Sequence, residues 1–256
     1  SGYLGYRLRN PAFPDTPITL RQLLSHTSSV RDDGGYSWPL GLRMRDQLGQ
    51  QGFDARHAPG GAFSYANLNF GIVGEVMEAA TGIRFDRLMH QLLFAPLSLD
   101  ACFNWSGCSA AALARAATLY RKGADETAWN PAGPWVAQAD APGQLPPACV
   151  VRLAEGQRCD LDGYRPGDNG TLFAPQGGLR ISVRDLGRIA RLLLRGGELG
   201  LHAAARTRHR LQARTQQAQQ QIEIDRLDEV IVAARVQPRD AVSHRVARRQ
   251  KQHRTR

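Results

Sequence analysis

Residues 1–201 predict a helix-rich globular region, and residues 202–256 predict a basic segment of a different kind. Three observations lead there. Helix-cap signals recur through the first two hundred residues, strand signals are few, and the composition changes abruptly near residue 201. All 26 glycines and every Phe, Tyr and Trp precede position 202, whereas the last 55 residues are rich in Arg, Gln and His. Lacking large aromatic side chains and the glycines that serve φ > 0 turns, that last segment is not expected to fold as an independent domain. Its stretch IEIDRLDEVIVAARV has only mixed helical spacing. A solvated tail or the product of a shifted reading frame is the plainer expectation, and a basic arm attracting phosphate backbones the sharper one.

The helical elements can be justified in order. Thr19 and Gln22 have capping-box spacing ahead of Leu20, Leu23 and Leu24, which predicts a short helix ending near residue 25. LNFGIVGEVMEAATG predicts a second, with Phe70, Val73, Met77 and Ala80 on one face and Gly82 as its stop. FDRLMHQLLFAPL predicts a third, ended by Pro96, and AALARAATLYRKG a fourth, followed by Gly123. The clearest is SVRDLGRIARLLLRGG. Ser182 and Asp185 cap its start, Leu186, Ile189 and Leu193 form its apolar stripe, and Gly196 and Gly197 end it. Residues 124–172, with WNPAGPW, DAPGQLPPAC and YRPGDNG, predict a long irregular connection.

The charge argues against a nucleic-acid role for the globular part. Residues 202–256 hold 13 Arg or Lys against 5 Asp or Glu, which leaves a nearly neutral 20 against 18 for residues 1–201. No apolar run reaches the eighteen residues of a membrane span, and the first twenty residues carry Arg7, Arg9, Pro11, Pro14 and Pro17 where a signal peptide needs an apolar stretch. The chain begins SGYLGYRLRN without an initiating Met, as a processed, cropped or incomplete product would. Cys102 and Cys108 enclose five residues and Cys149 and Cys159 nine, so two local disulfides are expected, with two other pairings open. No Cys and His spacing suits zinc, and no cofactor is expected. Gly177-Gly178 lacks the Gly-Lys-Ser/Thr end of a phosphate loop and reads as a turn into the Ser182 cap. His57 has no partner visible in the sequence.

LRQLLSHTSSV sets Ser25 beside His26 and raises the question of a nucleophile next to its base. The geometry opposes it. A helix ending near Ser25 puts SHTSS at the negative end of the local dipole, the wrong end for an alkoxide. Neighbours i and i+1 also point about 100° apart on a helix. Ser25, His26 and the nearby hydroxyls are therefore expected to satisfy backbone groups at a turn.

Taken in order, ITLRQLLSHTSSV, PGGAFSYANLNFGIVGEVMEAATG and FAPQGGLRISVRDLGRIARLLLRGG resemble the serine beta-lactamase-related hydrolases, which include class C beta-lactamases, penicillin-binding carboxypeptidases and esterases. The resemblance implies an α+β, beta-lactamase/transpeptidase-like fold, mainly its helical lobe, with the central antiparallel sheet incomplete. It also implies acyl transfer through a serine ester on a beta-lactam, a D-Ala-D-Ala peptide or an ester, and a periplasmic or secreted location. In that family the LLSHTS block is structural. The family's Tyr-x-Asn element falls on Tyr65 and Asn67. Tyr65 is implied as general base or proton relay, and Asn67 as the group that bonds the substrate amide and holds the catalytic lysine. From the residues alone, a core tyrosine and an N-capping Asn67 serve equally well.

The other two family elements are missing. The chain's two lysines, Lys122 and Lys251, follow Leu119 and Arg248 at three residues' distance, so neither completes a Ser-x-x-Lys, and neither begins a Lys-Thr-Gly. A phenol titrates near ~10, so a base working near neutrality needs roughly 4 kcal/mol in favour of its anion. A helix N-terminus supplies only ~0.3 to 1 kcal/mol, or up to about 2 when partly buried, and a close ammonium must supply most of the rest. The expectation is a partial serine hydrolase domain, inactive alone, that acts on a small-molecule or peptidoglycan-like substrate when completed. It is expected to have no membrane span and no specific nucleic-acid partner. The runner-up is a non-catalytic binding protein whose basic tail contacts nucleic acid or an anionic surface.

Overall fold

The computed structural model describes residues 3–123, 132–138 and 144–198. The basic segment 202–256, with its IEIDRLDEVIVAARV stretch, lies outside the described residues. Among the described residues, seven α-helical pieces, a 3-10 turn, a π turn and two antiparallel strand pairs form an α+β architecture.

Helix α1, Leu20–Leu24, begins as its sequence dictates. Thr19 Oγ1 accepts from Gln22 N, and Gln22 Oε1 accepts from Thr19 N at 2.8 Å, closing the capping box before the chain leaves the helix at Ser25. A single turn, α2 (Met44–Gln47), places Met44 in the core. The central element is α3, Leu68–Thr81, closed by Gly82 at φ +65°. Its buried face differs from the expected one. Of Phe70, Val73, Met77 and Ala80 only Ala80 is buried, whereas Leu68, Gly71, Ile72, Gly74, Glu75 and Glu78 all face inward. The glycines explain the difference. The backbone at Gly170 presses on α3 so closely that a Cβ on Gly74 would lie 2.8 Å from the Gly170 carbonyl oxygen. Missing side chains, which apolar periodicity does not score, mark the tightest contact.

Helix α4, Phe85–Met89, continues through a π turn, His90–Phe94, into α5, Ala95–Leu97, which ends at Ser98. The helical run thus ends one residue past Pro96, close to the expected stop. Pro96 occupies the first turn after the π segment, where its missing N–H is tolerated. The fourth predicted helix is also corrected. Helix α6 covers only Ala110–Ala114, capped by Ser109, and Leu119–Lys122 is strand β2. It pairs with β3, Trp135–Gln138, inside the stretch expected to be irregular. Register decides this, because Lys122 stands opposite Trp135 and its Nζ lies 5.1 Å from the centroid of that ring. Strands β1 (Cys102–Phe103) and β4 (Leu179–Arg180) form the second pair, and Gly177 and Gly178 turn the chain into β4.

Helix α7, Val183–Leu194, has the expected Ser182 cap, with Gly196 and Gly197 both at positive φ beyond it. Its apolar stripe is poorly covered. Ile189 packs on the core, but Leu186 is exposed and Leu193 and Leu194 are 69% and 86% exposed. Two hydrophobic clusters hold the rest. Leu8, Leu23, Val30, Met44, Leu68 and Ile72 pack around α1 and α3, while Phe85, Phe94, Phe103, Leu172 and Phe173 pack around α4 and β1. Cys102 pairs with Cys108 and Cys149 with Cys159, with Cα separations of 5.2 and 5.8 Å.

Candidate active site

Two chain segments are zipped together ahead of α3. Gly60 N donates to the Thr27 carbonyl at 2.7 Å and Ser64 N to the His26 carbonyl at 2.8 Å, with Gly60 itself at φ +93°. This delivers Tyr65 against the His26 ring, 4.6 Å between centroids, with Phe63 and Phe70 at 5.9 and 5.7 Å. His26 adopts φ +54° to reach this position. Its Nδ1 accepts from Ala66 N at 3.3 Å and faces Asn69 Nδ2 at 3.0 Å, which puts its proton on Nε2. Asn69 in turn accepts from the buried Ser28 hydroxyl at 2.6 Å.

Ser25 has no part in this. Its hydroxyl shares a hydrogen bond with Thr27 at 2.9 Å, so the adjacent serine and histidine serve separate structural bonds, as the dipole argument expects.

Tyr65 and Asn67, the two residues singled out by the sequence, do meet. The Tyr65 hydroxyl donates to Asn67 Oδ1 at 3.2 Å, and the tyrosine is 63% exposed beside the N-terminus of α3. The alternative of a core tyrosine and a capping asparagine does not hold. Tyr65 lies at the surface, and Asn67 has helical dihedrals and makes no side-chain cap bond. The cap comes from Asp32. Its Oδ2 accepts from Asn67 N at 2.9 Å and Asn67 Nδ2 at 2.8 Å, and its Oδ1 accepts from Leu68 N at 3.0 Å. The charged group fixed on Asn67 is thus a carboxylate. Of the two lysines, Lys122 sits on β2 over Trp135, and Lys251 lies outside the described residues.

Sequence reasoning missed Asp32, because its partners lie 35 and 36 residues away and no local spacing announces them. It also missed two buried carboxyls on the inner face of α3. Glu75 accepts from the Tyr6 hydroxyl at 3.0 Å, and its second oxygen has no hydrogen-bond partner; burial pushes its pKa up to about 8, with Glu78 and Asp168 adding to the rise. Glu78 accepts from Tyr164 Oη, Gly167 N and Phe85 N, and burial still raises it to about 7. Glutamates three apart on the same face as Leu68 and Ile72 are the one signal that could have found them. His57 does have a partner: its Nδ1 lies 2.7 Å from Asp54 Oδ2, and that bond, with one from Arg56 N, lowers the Asp54 carboxyl to about 2. Among the described residues no group of three or more His, Cys, Asp or Glu is placed to hold a metal ion, and no helix is long and apolar enough to cross a membrane.

The beta-lactamase family model matches residues 2–223. This chain belongs to the beta-lactamase family. Penicillin-binding protein 4* of Bacillus subtilis (strain 168) is 25% identical over 111 residues, covering 39% of this chain and 25% of that protein. Similar solved structures include an octameric penicillin-binding protein homologue from Pyrococcus abyssi, 17% identical with a TM-score of 0.46, covering 77% of this chain and 38% of that one. A D-stereospecific amidohydrolase from Streptomyces sp. is 19% identical with a TM-score of 0.43, covering 77% of this chain and 56% of that one. The chain thus spans a quarter of the curated relative's length.

Proposed function

We propose that residues 1–201 form part of a serine acyl-transfer site of the beta-lactamase family, with Tyr65 as proton relay and Asn67 as the residue that positions substrate and ammonium. The observation that supports this most is the pairing of an exposed tyrosine with an asparagine at the Asp32-capped N-terminus of α3. In this mechanism a serine attacks the acyl carbon, Tyr65 passes its proton to the leaving group, and water resolves the ester. The substrate is a beta-lactam, a D-Ala-D-Ala peptide or an ester. This chain has no Ser-x-x-Lys to supply the nucleophile and the ammonium that a phenolate needs, and on this reading its 256 residues are inactive alone.

The two local disulfides fit a periplasmic or secreted protein. The family match extends through residue 223 and favours the hydrolase over the anion-binding alternative.

The test is covalent labelling of a version extended by a Ser-x-x-Lys helix. A fluorescent penicillin or fluorophosphonate labels the extended protein, and Tyr65→Phe slows that labelling by about 10² to 10⁴. Unchanged labelling in Tyr65→Phe rejects the assignment.

A further inference from the structure

At about 100° of turn per residue, helix α7 divides into three sectors. Asp185 and Ile189 face the body of the protein. Arg184, Arg188, Arg191 and Arg195 recur at helical spacing and form a second sector, and Val183, Leu186, Ala190, Leu193 and Leu194 form a third. That third sector is open along its whole length, from Val183 at 87% exposure to Leu194. Single exposed leucines are ordinary, whereas large apolar side chains along one ridge mark a surface that meets something. The one acidic residue of α7 is Asp185, which is buried and pairs with Arg188 at 3.0 Å. Arg188 also donates to the Ser98 carbonyl at 2.8 Å, a tie that Arg184, Arg191 and Arg195 lack among the described residues. What α7 turns outward is therefore apolar and cationic, with no acidic group.

Charge decides what fits this ridge. A second copy laid along α7 would set arginine against arginine. A nucleic acid would use the arginines and leave the leucines in water. An anionic lipid surface takes both: Val183, Leu186, Leu193 and Leu194 enter the boundary between headgroups and acyl chains, and the arginines, on long apolar stems, reach the phosphates from the flank. Arg191 and Leu194, three residues apart, stand side by side for this. We propose that α7 docks the protein on an anionic phospholipid surface, lying flat on it. Its 12 residues make a helix of about 18 Å, too short to cross a hydrocarbon core of about 30 Å. The proposal does not rest on the acyl-transfer reading.

The test is co-sedimentation of the full 256-residue protein with vesicles of phosphatidylcholine alone, and with vesicles of equal parts phosphatidylcholine and phosphatidylglycerol. The wild type should bind the mixed vesicles roughly tenfold or more tightly than the neutral ones. Leu193→Ala combined with Leu194→Ala should weaken that binding roughly tenfold, with a Tm like the wild type's because both side chains are exposed. Arg184→Gln combined with Arg191→Gln should also weaken it roughly tenfold, and leave binding to neutral vesicles unchanged. Absence of the wild type from the vesicle pellet overturns the proposal. So does binding that salt removes but the leucine pair leaves intact, which would assign it to the 13 Arg or Lys of residues 202–256. A dimer in light scattering that the leucine pair dissociates would give the ridge to a second copy, and overturns it too. If the leucine pair disturbs the fold, the wild type and the arginine pair still decide.

Discussion

Helices α3 and α7 are both bounded by a cap and a glycine stop, and differ in what covers them. In α3 the inner face is filled, with Ile72 at 0% exposure, the Gly170 backbone pressed on Gly71 and Gly74, and Asp32 tied across its first turn. In α7 only the edge near Asp185 and Ile189 meets the core, and Leu193 and Leu194 point away from it. The apolar stripe in a sequence shows which side of a helix wants a partner. Whether the chain supplies that partner is a tertiary fact, and here the two helices answer it differently.

Substitution sharpens the comparison. Ile72→Ala removes a fully enclosed side chain and should cost ~2–5 kcal/mol of stability in denaturant titration. A cost as small as that of a surface change would mean that α3 is not the packed helix described.

A second large effect concerns pH and belongs to α3 alone. Glu75, 1% exposed, has a folded-state pKa of about 8 against an ordinary 4.5, so the folded chain holds this proton more tightly than the unfolded one. The stability it contributes is complete below about pH 4.5 and is lost as pH rises through about 8, with Glu78 adding the same sign up to about 7. The groups facing Glu75 are Tyr6, Glu78, Asp168 and Arg45, of which Arg45 and the Tyr6 bond oppose the rise. Thermal melts from pH 5 to 9 should show Tm falling, and Glu75→Gln should remove much of the slope. A wild-type Tm that climbs over this range contradicts the buried pair.

Capping comes next. Thr19→Ala and Ser182→Ala should each cost ~1 kcal/mol at most as helix ends, but only the first should lower the global Tm clearly, since α1 packs on α3. Equal losses would place α7 in the same cooperative unit. The smallest effect is expected for Leu193→Ala, within ~0.5 kcal/mol at a position 69% exposed. A loss of several kcal/mol there would show that α7 is covered.

Local chemistry was what the sequence made legible. Thr19 with Gln22, Ser182 with its first turn, and Gly82 each act within four residues, so α1, α3 and α7 could be placed from spacing. Strand β2 could not, because Leu119–Lys122 is a strand only by virtue of Trp135–Gln138 beyond an intervening loop. The buried side of α3 was misplaced for the same kind of reason: its closest neighbour, Gly170, lies about a hundred residues on. In the candidate site, Tyr65 and Asn67 carry a recognisable motif, whereas Asp32 and His26 act on it over more than thirty residues of chain.

Our proposal is that Tyr65 and Asn67 belong to an acyl-transfer site whose serine and ammonium this chain's sequence lacks. Intact-mass spectrometry of the purified 256-residue protein after incubation with a penicillin, and separately with a fluorophosphonate, tests it most directly. The expected result is the unmodified mass in both cases. A stoichiometric adduct, mapped to Ser25 or to any other serine of the chain, contradicts it.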